Sequence, residues 1–310
     1  MKIVFFGSGR FGVAILKAIH LYGHDISLVV TQPDRKKGRH LHLAGTPVKE
    51  YALLCGLKIF QPEDVNQPAS VEILKKQEVD IFLVVSYGRI LSKEIISLPK
   101  KICINIHASL LPKYRGAAPI SRVLMNGERK TGVTFIRMNE HMDRGDIIFQ
   151  KAIKINITDH SISLEDKLSK LASDYINKIL ENVKNNKIKF NKQKGKYAPY
   201  APLLKKYDGL IHWNYPAEKI YNHFRGCFGW PGSFTTFKGK ILKILGLNIA
   251  RGGFCGRPGE IIRAEDNLLE VACLRGSVLI QEVLPESHNR MSVKSFLAGH
   301  RVRVGDMLGD

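Results

Sequence analysis

The sequence predicts an α/β fold: a doubly wound, mostly parallel sheet, followed by a small OB-like β-barrel domain. Through about residue 106, short apolar runs alternate with amphipathic stretches. That alternation predicts buried parallel strands connected by helices, because helices cover both faces of such a sheet. After about residue 207, short apolar runs are separated by glycine-rich turns. This spacing is typical of small antiparallel barrels, some of which bind oligonucleotides.

The first domain is predicted to contain seven strands and four helices. Thr46 followed by Pro47 is a helix start, because a threonine caps the first turn and a proline fits the first helical position. A long amphipathic helix opens at Ser163 with a capping-box-like signal and closes the domain. The strands are Ile3–Phe6, Ile26–Val30, Leu57–Phe60, Ile81–Val85, Ile102–Ile106, Thr131–Met138 and Ile147–Ile157, and the earlier helices are Phe11–Tyr22, Pro47–Cys55 and Val71–Gln77.

A basic stretch separates the two predicted domains. Residues 187–206 contain seven lysines, no acidic residue and two prolines, a composition that favours an extended, exposed connector. We therefore expect a first domain over residues 1–186, a basic linker over 187–206 and an OB-like domain over 207–310. The last of these is predicted to hold a helix at Ala217–Phe224 and strands at Phe234–Phe237, Lys240–Leu245, Gly259–Arg263, Leu268–Ala272 and Val278–Val283.

The net charge points to a polyanionic partner. The chain carries 48 Lys and Arg against 28 Asp and Glu, a formal charge of +20, so nucleic acid is the first candidate and a solvated basic surface is the alternative. No apolar stretch approaches the ~20 residues of a membrane span, so we expect a soluble protein without a membrane partner. The five cysteines are odd in number and widely spaced, which indicates a reducing, cytoplasmic compartment.

The segment Gly7–Gly12 matches the GxGxxG pattern of dinucleotide-binding proteins. It follows the first strand and opens a helix, as that pattern requires. The second strand, however, ends in Thr31 and Gln32 rather than in a ribose-binding acid, and Asp34 follows a proline in a basic loop. The favoured interpretation is that the glycines permit tight packing, and a nicotinamide-dependent dehydrogenase stays as an alternative.

Two polar residues mark the end of the predicted fifth strand. Asn105 and His107 lie two positions apart, so both face the same side at the sheet edge where open α/β sheets bind ligands. An amide could stabilise an oxyanion, and an imidazole could move a proton. A carboxylate from the loop over residues 139–146 could orient the imidazole, and Asp143 and Asp146 are both candidates. The bland alternative is a hydrogen-bonded structural pair.

Several segments together resemble the methionyl-tRNA formyltransferase family. The run from Asn105 to Ile120 carries most of the resemblance, with Thr131–Thr134 and Met142–Asp146. The similarity covers essentially the whole chain. The further matching segments are Thr31–Arg35 with Gly38 and Arg39, Thr46–Lys49, Ser86–Gly88, Gly299–His300 and Gly305–Asp306.

The resemblance implies an enzyme of translation initiation. It would transfer the formyl group of 10-formyltetrahydrofolate to the amino group of methionyl-initiator tRNA, as a monomer and without a metal. Asn105 would stabilise the oxyanion, His107 would assist there and in proton movement, and Asp143 would orient or charge the imidazole. The implied roles are catalysis for Asn105, His107 and Asp143, folate binding for Ser109, Leu110, Leu111 and Pro112, and tRNA binding for Arg35, Lys36, Lys37 and Arg39.

Two departures from the family pattern concern substrate fit. Gly7-Ser8-Gly9 stands where Gly-Thr-Pro is usual, and His141-Met142 with Arg144 are bulkier or more charged than the common residues beside Asp143. A formyltransferase acting on a purine precursor or an amino sugar nucleotide would share the catalytic set and is the nearer alternative. The further alternative of a noncatalytic RNA-binding module is supported only by the net charge and the predicted barrel. His40-Leu41-His42 lies in a basic loop without acidic or thiolate partners, so we expect no metal there.

Overall fold

Among the described residues of the first half of the chain there are nine strands, and seven of them form one mixed sheet. The computed structural model describes residues 1–37, 42–195, 198–252 and 256–309. The strands are β1 (Lys2–Gly7), β2 (Asp25–Val30), β3 (Arg35–Lys37), β4 (His42–Ala44), β5 (Ile59–Phe60), β6 (Ile81–Val85), β7 (Ile102–His107), β8 (Lys130–Arg137) and β9 (Ile147–Lys154).

The order of the large sheet is β5-β2-β1-β6-β7-β8-β9. The first five strands run parallel, and β8 and β9 are antiparallel to their neighbours. The chain moves outward from β1 to β5 on one side and then returns to β6 on the other. Such a reversal opens a crevice at the carboxyl ends of the central strands. The prediction of a doubly wound, mostly parallel sheet is confirmed.

Helices accompany these strands. Thr46 caps its helix as predicted, since its Oγ1 accepts a hydrogen bond from Lys49 N at 3.1 Å. The helix predicted to open at Ser163 begins two residues earlier, at Ser161. Ser163 therefore lies in its first turn, where its hydroxyl accepts from His160 N at 3.0 Å and donates to the His160 carbonyl at 3.1 Å. The helices are α1 (Arg10–Leu21), α2 (Pro47–Leu54), α3 (Pro68–Lys75), α4 (Lys93–Ile96), α5 (Pro119–Met125) and α6 (Ser161–Lys184).

The second half of the chain forms an antiparallel sheet of order β10-β11-β14-β13-β12, with β15 paired to β14. Met307 and Leu308 bridge Glu260, beside β12, and Phe237 of β10, so that the two ends of this path are joined. These two bridges connect the ends of the sheet, as the predicted OB-like barrel requires. The elements are a 3-10 helix (Lys206–Gly209), α7 (Ala217–Cys227), β10 (Ser233–Phe237), β11 (Lys240–Ile249), β12 (Ile261–Glu265), β13 (Leu268–Ala272), β14 (Ser277–Pro285), β15 (Met291–Ser292) and α8 (Val293–Gly299).

By their packing, the described residues fall into two units. The first unit contains residues 1–119, 130–154 and 164–202, and the second contains 120–129, 155–163 and those after 202. Two stretches that precede residue 203 in the sequence, 120–129 and 155–163, therefore pack with the second unit. Arg225 is an example of this packing within the second unit. Its side chain is 4% exposed and donates to the carbonyls of Asn156 at 3.2 Å and Asp159 at 3.0 Å.

Candidate active site

Strand β7 delivers two polar side chains to the carboxyl edge of the parallel part of the sheet. Asn105 lies opposite Ile136 of β8, and His107 lies opposite Thr134. Their neighbours Ile104 and Ile106 are buried, since alternate residues of a strand face opposite sides. The apolar residues fix the register, and that register places the amide and the imidazole on one face.

Asp143 lies against both side chains. Its Oδ1 accepts a hydrogen bond from Asn105 Nδ2 at 3.2 Å, and its Oδ2 accepts one from Gly116 N at 2.9 Å. The same Oδ2 lies 3.5 Å from His107 Nδ1, and the two side chains are 11% and 7% exposed. An amide, an imidazole and a carboxylate from separate parts of the sequence thus form one partly buried cluster.

The tautomer of His107 follows from its second contact. His107 Nε2 lies 2.8 Å from the carbonyl oxygen of Tyr114. A carbonyl oxygen only accepts, so Nε2 carries a hydrogen. Proton exchange at this imidazole is therefore left to Nδ1, the atom that faces Asp143, and a proton there completes an ion pair with the carboxylate.

The loop that carries Asp143 is held by a second set of contacts. Gln193 Nε2 donates to the carbonyls of Asp143 and Gly145, both at 2.8 Å, and Arg115 Nε donates to the Asp143 carbonyl at 3.2 Å. Arg115 also donates to Gln193 Oε1 from Nε at 3.1 Å and from Nη2 at 2.6 Å. Gln193 lies in no motif of the sequence, and Arg115 is marked only by its place in the run after Asn105.

Asp146, the other acidic candidate of this loop, points elsewhere. Its Oδ2 accepts from Arg137 Nη2 at 2.5 Å. The Asp146 carboxylate therefore forms an ion pair with an arginine of β8, and this pair holds the loop in place. Geometry therefore selects Asp143 over Asp146 as the carboxylate beside His107.

The predicted folate segment is tied to β8 and β9. Thr134 Oγ1 donates to the Ser109 carbonyl at 2.6 Å and accepts from Leu111 N at 3.1 Å. Gln150 Nε2 donates to the Leu111 carbonyl at 2.7 Å, and the Ser109 hydroxyl donates to the Lys113 carbonyl at 2.7 Å. Ser109 and Leu111 are buried, whereas Leu110 and Pro112 are half-buried. The latter two are the members that a ligand can reach.

The predicted tRNA segment is only partly described. Arg35 and Lys36 are exposed on β3, so the predicted basic loop begins as a strand that pairs with β4 in a short antiparallel ladder. Arg35 Nη2 lies 3.9 Å from Glu63 Oε2. Lys37 ends this strand, and Arg39 lies outside the described residues.

The glycines of the Gly7–Gly12 segment have a packing role. A Cβ on Gly7 would lie 2.6 Å from Phe5 Cε1 and 3.0 Å from the Val85 carbonyl oxygen, and one on Gly12 would lie 3.2 Å from that same oxygen. A carboxylate of the protein, Glu165 Oε1, already accepts from Phe11 N at 3.0 Å in the first turn of α1. The anion position that a dinucleotide pyrophosphate would use is thus taken by a side chain.

The described part of the chain contains neither a metal-binding cluster nor a helix suited to cross a membrane. Over residues 1–37, 42–195, 198–252 and 256–309, no three histidine, cysteine, aspartate or glutamate side chains are grouped so that they could hold a metal ion. Of the helices in those same ranges, none is long and apolar enough to cross a membrane. The His40 and Leu41 positions of the predicted basic loop fall outside them.

Comparison with known proteins identifies the class. Residues 1–180 match the model of the formyl transferase family, and residues 203–301 match the model of the formyl transferase C-terminal domain. The chain therefore belongs to the formyl transferase family. The fold agrees with this: a solved structure, the N-formyltransferase from Helicobacter canadensis with folinic acid and dTDP-3-aminofucose, superposes with a TM-score of 0.68 at 19% identity, covering 91% of this chain and 99% of that one.

Within this family, the sequence groups with the methionyl-tRNA formyltransferases. The protein of that name from Caldanaerobacter subterraneus subsp. tengcongensis is 40% identical over 309 residues, covering 99% of this chain and all of the relative. The one from Thermodesulfovibrio yellowstonii is 42% identical over 303 residues, covering 98% and 97%. HypX from Aquifex aeolicus, solved with tetrahydrofolic acid, shares the fold at a TM-score of 0.66 and 17% identity over 96% of this chain and 47% of its own. The family predicted from the sequence is confirmed.

Proposed function

We propose that this protein transfers the formyl group of 10-formyltetrahydrofolate to the amino group of methionyl-initiator tRNA, producing formylmethionyl-tRNA for translation initiation. One observation carries the chemistry: Asn105 and His107 both contact the Asp143 carboxylate, at 3.2 and 3.5 Å. Full-length similarity to methionyl-tRNA formyltransferases supports the choice of acceptor. We expect the protein to act as a cytoplasmic monomer that needs no metal.

The three side chains suit formyl transfer because each handles a different charge. The amine attacks the formyl carbon and a tetrahedral oxyanion forms, after which the bond to the folate nitrogen breaks. An amide group has two N–H donors, so Asn105 can hold Asp143 with one and stabilise the oxyanion with the other. His107 takes the proton that the amine loses and returns a proton to the departing folate nitrogen, while Asp143 stabilises the imidazolium.

Two binding segments complete the proposal. Ser109, Leu110, Leu111 and Pro112 would line the folate site, with Leu110 and Pro112 making the side-chain contacts because they are the half-buried members. The basic segment with Arg35, Lys36, Lys37 and Arg39 would contact the acceptor end of the tRNA. Its arginines and lysines are the side chains that bind phosphates.

The decisive experiment supplies donor and acceptor together. Purified protein is incubated with 10-formyltetrahydrofolate and methionyl-initiator tRNA, with methionyl-elongator tRNA as the control acceptor and an amino sugar nucleotide as the rival amine. We expect formyl transfer to the initiator tRNA. Transfer to the sugar amine alone, or to no amine, would contradict the proposal.

Alanine variants test the assigned roles. Asn105→Ala, His107→Ala and Asp143→Ala should each lower turnover by roughly 10²–10⁴, while the circular dichroism spectrum stays native. Asp25→Ala is the matched control, because Asp25 is an exposed carboxylate on β2. Full activity in the three site variants would refute the assignment.

A further inference from the structure

A pocket of about 380 Å³ opens beside Asp143 within the first unit. It is lined by Arg115, by Arg144 and Asp146 of the Asp143 loop, and by Lys192, Gln193 and Gly195 of one chain segment. This segment is fixed to β9, because Asn191 and Ile147 exchange two backbone hydrogen bonds of 2.9 and 2.8 Å. The sheet therefore holds the segment that supplies Lys192, Gln193 and Gly195.

The pocket concentrates positive charge. Arg115, Arg144 and Lys192 contribute three cations. The carboxylate of the lining, Asp146, already accepts from Arg137 Nη2 at 2.5 Å. Burial lowers the pKa of Arg115, and the neighbouring Arg144 charge lowers it further by repulsion, against the opposing effect of Asp143. An anion that entered would relieve this repulsion.

Arg115 is set in place before any ligand arrives. Its Nε and Nη2 donate to Gln193 Oε1, and the Gln193 amide is in turn fixed by the carbonyls of Asp143 and Gly145. A guanidinium that is already oriented loses little entropy when it binds an oxyanion. Arg144 and Lys192, by contrast, are exposed at the mouth and can reach a ligand at the surface.

We propose that this pocket binds a phosphodiester of the tRNA acceptor end, the one on the 5′ side of the aminoacylated nucleoside. This inference rests on the proposed function. The reacting amine must lie at the cluster of Asn105, His107 and Asp143, and Arg144 directly follows Asp143 in the chain. The methionine that carries this amine is esterified through its carboxyl group to the terminal ribose, so the phosphate of that same ribose is the nearest anion that the acceptor brings with it.

The character of the lining favours a nucleic-acid phosphate over a carboxylate of the folate. Small-molecule sites are mostly apolar and enclose their ligand. This pocket is lined by two arginines, a lysine, a glutamine, an aspartate and a glycine, and two of its three cations are exposed. Open, polar and positively charged surfaces are the usual contacts of a nucleic-acid backbone.

The test separates the two substrates. Arg144→Gln, Lys192→Gln and the double variant are compared with wild type and with Lys178→Gln, an exposed lysine of α6. We expect each pocket substitution to raise KM for methionyl-initiator tRNA about 3- to 10-fold and to make its salt dependence shallower by about one unit. Both kcat and KM for 10-formyltetrahydrofolate should stay at wild-type values, as should every constant of Lys178→Gln.

A second test removes the charge of a single phosphate from the tRNA. Initiator tRNA with an uncharged methylphosphonate at that one position should lower wild-type affinity as much as Arg144→Gln does and should have little further effect in that variant. Unchanged tRNA constants in both pocket variants, or a rise confined to KM for the folate, would overturn the inference. If wild type transfers no formyl group, the proposed function fails, and filter binding of tRNA to the same variants still decides about the pocket.

Discussion

Among single residues, Gly145 allows the loop that carries Asp143 to lie directly against the backbone of Arg137 at the end of β8. A Cβ at Gly145 would lie 1.7 Å from the backbone oxygen of Arg137, and no side-chain rotation can relieve a clash with backbone. We expect Gly145→Ala to displace the loop, to cost about 3 kcal/mol and to abolish formyl transfer. Thermal unfolding and the formylation rate are the measurements.

A second glycine provides the control for that substitution. Gly299 ends α8 and has no atom within 4 Å of a would-be Cβ. Gly299→Ala should leave the melting temperature unchanged or slightly raised, because it only restricts the unfolded chain. If the Gly145→Ala variant had the same melting temperature and formylation rate as the Gly299→Ala variant, the position of the loop would not depend on the close approach at Gly145.

Part of the cluster could be predicted from the sequence on physical grounds. Strand periodicity alone put Asn105 and His107 on one face. It could not choose between Asp143 and Asp146, and the choice came from the family resemblance. Gln193 was missed because its contacts with the Asp143 loop join residues 50 positions apart in the chain, and no local pattern encodes such a contact. The catalytic roles themselves stay predictions until the variants are assayed.

At the scale of elements, α6 supplies an acid to the first turn of α1. Glu165 accepts from Phe11 N, and burial raises the pKa of this carboxyl above its ordinary 4.5. At a pH well below that ordinary value, Glu165 is protonated in both the folded and the unfolded chain, so its contribution to the free energy of unfolding does not depend on pH. As the pH rises through the folded pKa, the folded state must ionise a buried group that the unfolded state ionises earlier, so its stabilising contribution decreases.

Glu165→Gln should remove this dependence. We expect the free energy of unfolding of wild type, minus that of the variant, to fall as the pH rises from about 4 to about 7. Denaturation followed by far-ultraviolet circular dichroism at several pH values measures it. Glu72→Gln, an exposed glutamate of α3, should give a flat difference. A difference for Glu165→Gln that rises with pH would show that the hydrogen bond to Phe11, not burial, dominates this site.

Elements differed in how well the sequence predicted them. Strands buried on both sides were found almost residue by residue, as at Ile81–Val85, because a short, continuous apolar run bounded by polar residues is typical of a central parallel strand. The helices α4, α5 and α8 were missed. They are four and seven residues long, too short for a helical periodicity to become visible.

At the scale of the whole molecule, the sequence predicts domains in linear order, and that division stays a prediction. The packing units are not linear, since residues 120–129 and 155–163 belong with the second. Their place depends on individual contacts such as that of Arg122 Nη2 with Asp208 Oδ1, at 3.4 Å. Neither composition nor a lysine-rich connector can reveal a contact between segments 86 residues apart.

That arrangement predicts how the second unit behaves when it is cut out. A fragment of residues 203–310 would keep Arg225 but lose the carbonyls of Asn156 and Asp159 that its guanidinium binds. The guanidinium would keep its hydrogen bond to the Asn222 side chain, but it would lose the other two, each of which contributes about 1.5–3 kcal/mol when the donor is charged. We therefore expect the fragment to be at least that much less stable than the same unit in the full chain, with loosened tertiary packing.

Tryptophan fluorescence isolates the relevant unit, because the chain has two tryptophans, Trp213 and Trp230, and both follow residue 202. Trp213 is 5% exposed and donates to Thr235 Oγ1 at 3.0 Å, so its emission reports whether the core of this unit is intact. Denaturant midpoints should be lower for the fragment than for the full chain, and adding residues 1–202 in trans should raise them. A fragment that unfolded at the full-chain midpoint would show that segments 120–129 and 155–163 contribute nothing to the stability of the unit with which they pack.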